Sequence, residues 1–295
     1  MPDTQSPILK SKILNSWNLF AIVVIPMCIA VATAMTRVDL SNPSGVSAMI
    51  QFSVRLAVPL LYIAFAASSL VIVFPGASSR WLLRNRKIVG LCFASAMGWQ
   101  LLFVVWLVTV HSDYYIEEVY VLRDAIEGVV GYLCLIAMTL TSFNFGRKHL
   151  QPNQWKLLHK FGIYFLWAYA FSVYWWALFY YQNPLSIDYV YYWSGFLAWG
   201  LRAAAWSKKR RQFAEKNAPE TSPSPAFMLM GSAIVGVGLV AASFGSVWRE
   251  TAEELLTGYA ITQFPELYLP YWPFEPFLPL FVIALGAFLI TKSRA

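Results

Sequence analysis

Apolar residues in this chain run in long blocks, without the two-residue or three-to-four-residue alternation of a half-buried strand or helix. Eight blocks, at residues 17–35, 56–74, 88–110, 125–143, 161–181, 190–206, 226–247 and 277–291, reach or approach the ~20 residues that a helix needs to cross a hydrocarbon core of ~30 Å. Within lipid only a helix or a closed barrel pairs every backbone N–H and C=O, and unbroken blocks of this length exclude the barrel. The pattern predicts an all-α, polytopic integral membrane helix bundle of about eight transmembrane helices, the sixth and eighth being the shortest.

The polar positions between the blocks orient the bundle. With alternate connections assigned to alternate sides and the N-terminus inside, 17 of the 22 Lys and Arg fall on the inside: Lys10 and Lys12; Arg80, Arg84, Arg86 and Lys87; Arg147, Lys148, Lys156 and Lys160; Lys208, Lys209, Arg210, Arg211 and Lys216; Lys292 and Arg294. Acidic residues collect on the other side, among them Asp113, Glu117, Glu118, Glu250, Glu253, Glu254, Glu266 and Glu275. Basic residues accumulate in short cytoplasmic loops, so both termini are expected in the cytoplasm.

Composition supports this reading: 58% of the residues are hydrophobic and only 13% are charged, against about 25% charged in soluble domains. The net charge of +7 is scattered in clusters between apolar runs, so nucleic acid is not an expected partner and the lipid bilayer is. The first block follows Lys10 and Lys12 and contains Ala30-Val31-Ala32, a small-residue signal of cleavage, but it is longer than the 7–15 residues or so of a signal-peptide core. Cys28, Cys92 and Cys134 all lie within blocks and read as packing residues.

No hydrophilic stretch is large enough for a soluble domain, and no glycine-rich nucleotide fingerprint occurs. A flavin or nicotinamide electron donor would therefore be a separate partner. The segment 212–225 reads as a basic to Ser/Pro linker ending in Thr221-Ser222-Pro223-Ser224-Pro225, and residues 249–256 as an amphipathic acidic helix on the outer side, followed by Pro265, Pro270, Pro273 and Pro276.

Candidate chemistry is sparse. Arg55 and Glu127 are expected within about a turn of the outer ends of their helices and Arg202 near an inner end, which argues against a transporter with midplane charges. Gln100 is strongly polar at mid-span and reads as a hydrogen-bonding link to a neighbouring helix. His159 opens the fifth block on a stripe with Trp155, Gly162, Leu166, Ala170 and Val173. It reads either as an interfacial residue or as an axial ligand to a single haem b, with Gly162 leaving room for the macrocycle. His111 and His149 read as solvated loop residues. Trp167 and Tyr169 lie deep enough to line a pocket or to pack between helices.

Trp81-Leu82-Leu83-Arg84-Asn85-Arg86-Lys87-Ile88-Val89-Gly90-Leu91, Thr141-Ser142 at the end of the fourth block, and Trp155-Lys156-Leu157-Leu158-His159-Lys160 resemble the ferric-reductase-like transmembrane domain superfamily, which includes the haem-binding membrane subunit of the bacterial methionine-sulfoxide reductase system. The resemblance implies a six-helix core at 1–211, the linker at 212–225, and two additional helices with the acidic segment at 226–295. It also implies a bacterial inner (plasma) membrane location and b-type haem held by histidines of the third and fifth helices. On the fifth helix two histidines about 13 or 14 residues apart, about 20 Å, would serve stacked haems. Here the first matches His159, the second falls on Ser172 or Val173, and the third-helix histidine falls on Gln100, with Met97 one turn earlier. No histidine stands at 87–90 to pair with His159.

The resemblance therefore implies architecture more than activity. The expected role is that of an accessory or assembly protein acting with a membrane or periplasmic protein partner, with Gly231, Gly236 and Gly238 suited to close packing against it. The alternative is a haem b electron-transfer subunit taking electrons from quinol or a separate reductase, an oxidoreductase component without its own flavin domain.

Overall fold

The computed structural model describes residues 7–181, 183–217, 224–257 and 274–292. Most of the Ser/Pro run, together with Pro265, Glu266, Pro270, Pro273 and Arg294, lies outside them. Among the described residues every regular element is helical. The main helices are α1 (Ser16–Met35), α2 (Pro43–Val73), α3 (Ala77–Val110), α4 (Leu122–Leu140), α5 (Pro152–Phe179), α6 (Ser186–Asn217), α7 (Pro225–Ser243), α8 (Gly245–Thr257) and α9 (Leu278–Ile290). Five of them, α1, α2, α3, α5 and α7, are long and apolar enough to cross a membrane. The remaining expected spans fall short for visible reasons: α4 carries Arg123, Asp124 and Glu127 in its first turns, α6 is diluted by Tyr, Trp, Gly and Ser and carries Asp188 and Arg202, and α9 has 13 residues.

Several helices extend well past the apolar blocks. Helix α3 starts at Ala77, so Arg80, Arg84, Arg86 and Lys87 ride on its first turns instead of in a loop. Helix α6 likewise continues through Lys208–Lys216 to Asn217, into the segment expected as linker. Hydropathy marks the length a bilayer can cover, while Arg, Lys and Glu are good helix formers that carry the backbone ladder onward. Helix α2 begins at Pro43 because Asn42 Oδ1 accepts the Ser44 N–H and proline suits the first helical position. Arg55 is consequently about three turns inside its helix, not one.

The chain divides into two compact units, residues 1–67 with 75–167, and residues 68–74 with 168–295. In the first, the basic start of α3 holds the segment before α1. Trp81 Nε1 donates to Leu14 O at 2.7 Å and Arg84 to Leu9 O at 2.8 Å. The Asn85 amide donates to Asn15 Oδ1 at 2.8 Å, and its oxygen accepts the Ser16 N–H at 3.1 Å. Leu19, Ile88 and Cys92 pack beside this clasp, and Val31, Val46, Met49, Phe103 and Leu107 form a second buried cluster. The three cysteines are free thiols.

In the second unit α7 and α9 pack backbone to backbone. A Cβ on Gly231 would stand 2.6 Å from Gly286 O, one on Gly286 would stand 2.6 Å from Gly231 O, and one on Gly238 would meet Ile283 at 2.5 Å and Pro279 O at 3.0 Å. Two of the three glycines expected to serve a partner protein are thus used within the chain, and only Gly236 faces open space. Small residues let helices approach where lipid leaves no hydrophobic driving force between them, and α9 satisfies that demand here.

Candidate functional site

His159 sits two turns into α5, and its surroundings are supplied by the end of α4. Thr141 follows the last turn of α4, where its hydroxyl donates to Ala137 O at 2.7 Å. Thr141 Oγ1 also lies within hydrogen-bonding distance of His159 Nε2, 3.0 Å away. One helical turn earlier, Trp155 Nε1 donates to Thr141 O at 3.0 Å, and the Trp155 and His159 rings lie 4.4 Å apart. The Arg147 guanidinium covers the other ring contact, 4.7 Å above Trp155. Two residues spaced one turn apart on α5 therefore clasp a single threonine.

Nε2, the atom that would face iron in an axial ligand, lies against Thr141 Oγ1. The gap expected beside Gly162 is filled by Met138, whose Sδ lies 2.8 Å from where a Cβ would stand. Gln100 Oε1 accepts the Tyr132 hydroxyl at 3.0 Å, an α3 to α4 link. Ser172 donates to Tyr169 O in its own helix, and Val173 is exposed. Trp167 is stacked 5.2 Å from Phe65 as a packing residue. His149 is exposed, but His111, expected to be solvated, stands at the end of α3 with its Nε2 buried and without a hydrogen-bond partner.

A different cluster, in the second unit, was not legible as a site in the sequence. Tyr180 follows the last residue of α5. Its hydroxyl oxygen lies 2.8 Å from Glu275 Oε2 and 3.0 Å from Glu253 Oε2. Glu253 is on α8, placed there by the helix Gly245–Thr257 whose amphipathic spacing the sequence shows. Glu275 opens the 3-10 turn Glu275–Phe277 that leads into α9, after Phe274 at a left-handed φ of 69°. Arg249, one turn before Glu253, places its guanidinium 3.9 Å over the Tyr180 ring and pairs with Glu250 at 3.1 Å. Trp175 packs against Tyr180 and Trp248, at 5.7 and 5.9 Å between ring centroids.

The cluster is not closed. Glu275 has no exposed surface, and its Oε1 has no hydrogen-bond partner. Trp175 Nε1 and Arg249 Nε are also buried without acceptors. Burial pushes the Glu275 carboxyl up to about 7; the Tyr180 hydroxyl opposes that rise, Glu253 adds to it, and Arg249 opposes it. No grouping of three or more His, Cys, Asp or Glu suited to a metal ion occurs among the described residues. The only sequence signal for the cluster was Glu253 on an amphipathic helix and a glutamate amid prolines. Nothing local connected either to Tyr180, about 70 to 95 residues earlier.

The chain matches no family model, no curated protein and no solved structure.

Proposed function

We propose that this is an integral membrane protein of eight spans with both termini cytoplasmic, built on a ferric-reductase-like core and serving an accessory or assembly role in place of haem electron transfer. The observation that carries the reading is the occupation of His159. Its Nε2 is held by Thr141, its ring by Trp155, and the space at Gly162 by Met138. These contacts turn the residues that carry the family resemblance into a clasp between α4 and α5. The five long apolar helices and the segregation of basic residues support the membrane topology.

The visible spectrum of detergent-purified protein, oxidised and chemically reduced, tests the chemical half. No haem band is expected. Stoichiometric haem with a bis-imidazole spectrum, lost on His159→Ala, would overturn the reading in favour of the electron-transfer alternative. Accessibility of single introduced cysteines tests the topology: Lys216→Cys is expected to react only from the cytoplasmic side and Glu250→Cys only from the opposite side.

A further inference from the structure

The Tyr180 cluster contains a counting problem. A phenol has one proton and can donate to one acceptor, yet two carboxyl oxygens lie within hydrogen-bonding distance of Tyr180 Oη. With both glutamates ionised, one of these close oxygen pairs would have no proton between its atoms and would be repulsive. With one glutamate protonated, both contacts close: that carboxyl donates to Tyr180, and Tyr180 donates to the other.

The surroundings decide which glutamate holds the proton. Glu253 is half-buried on α8, where solvent stabilises its charge. Glu275 is fully buried, and its Oε1 has no partner. An orphaned oxygen on a buried carboxylate leaves negative charge unsolvated, whereas on a neutral acid the same atom is a carbonyl oxygen with far less to lose. Arg249 opposes this but does not outweigh burial, and its guanidinium is directed at the Tyr180 ring and at Glu250.

We propose that Glu275 is a carboxylic acid in the folded protein, and that Glu275, Tyr180 and Glu253 form a proton-binding chain whose occupancy ties α8 and the 275–277 turn to the end of α5. Release proceeds without redox change. The Glu275 O–H breaks as its proton moves to Tyr180 Oη, the Tyr180 proton moves to Glu253, and Glu253 passes one proton to water. The product is an anionic Glu275 with no donor for Oε1, so deprotonation loosens the junction. Among the described residues, the charged and titratable groups nearest this cluster are Tyr180 just past the end of α5, Arg249, Glu250, Glu253 and the exposed Glu254 on α8, and Glu275 itself; α9 carries none. The displacement of the Glu275 carboxyl to about 7 agrees with this assignment. The inference is independent of any haem content.

Infrared difference spectroscopy of the full chain tests it. Wild type minus Glu275→Gln at mildly acidic pH is expected to show the carbonyl stretch of a protonated carboxylic acid, and in wild type that band is expected to disappear as pH rises through about 7. Glu253→Gln is expected to retain the band. Absence of the band from the difference spectrum, or its loss in Glu253→Gln alone, would overturn the proposal. Should Glu275→Gln fail to fold, the wild-type titration decides by itself: a signal from buried acid that vanishes near neutrality supports the chain, and a carboxyl band flat from pH 5 to 9 or so sinks it.

Discussion

The His159 and Glu275 neighbourhoods differ in how completely their polar atoms are satisfied. At His159 the ring Nε2, both Thr141 oxygens and the Trp155 indole N–H all have partners, and the adjoining space is filled by Met138. At Glu275 two carboxyl groups face one phenolic hydroxyl and a carboxyl oxygen remains orphaned. A histidine on an α-helical stripe looks like chemistry in a sequence, and a glutamate amid prolines does not. The packing reverses that ranking, because a closed hydrogen-bond set is a structural joint and an open one has a state that can change.

Removing the Tyr180 hydroxyl is the strongest way to break this contrast. Tyr180→Phe leaves the buried Glu275 with no hydrogen bond on either oxygen, and is expected to cost about 1–3 kcal/mol, read as a lower unfolding temperature in detergent. Thr141→Val is expected to cost about 1 kcal/mol, since the half-buried His159 can recover a water partner; a loss larger than that of Tyr180→Phe would invert the comparison.

The pH dependence sharpens it further. Glu275 binds its proton more tightly folded than unfolded, so between its ordinary value of 4.5 and about 7 the folded state holds more protons, and stability is expected to fall as pH rises through that window. Thermal unfolding from pH 5 to 7.5 or so should show the decline in wild type and a shallower one in Glu275→Gln. Gly162→Ala is expected to lower the unfolding temperature only slightly, because the obstructing atom is the flexible end of Met138. Smallest of all, Glu254→Gln, on the exposed side of α8, is expected to stay within about 0.5 kcal/mol of wild type and to leave the pH profile intact.

Much of the fold was readable because lipid imposes a local requirement: a block must be apolar over its own length, and its backbone must pair within itself. That is why each apolar block corresponds to a helix and why Arg249–Leu256 appears inside α8. Helix ends were less legible, as the early starts of α2 and α3 show, since capping by Asn42 and continuation through arginines leave no mark in hydropathy. Gly231 and Gly238 illustrate a different gap. Their size announces close packing, but whether the surface that fills it is another protein or this chain's own Gly286 and Ile283 is a matter of long-range placement.

The site follows the same division. Residue type alone determined that the described elements are helices, five of them long and apolar enough to cross a membrane, because transfer free energy and backbone pairing act over each segment separately. Only the tertiary structure decided that His159 meets Thr141, and that Tyr180 meets both Glu253 and Glu275. Hydrogen bonding acts over about 3 Å, and which groups come that close depends on how distant helices pack.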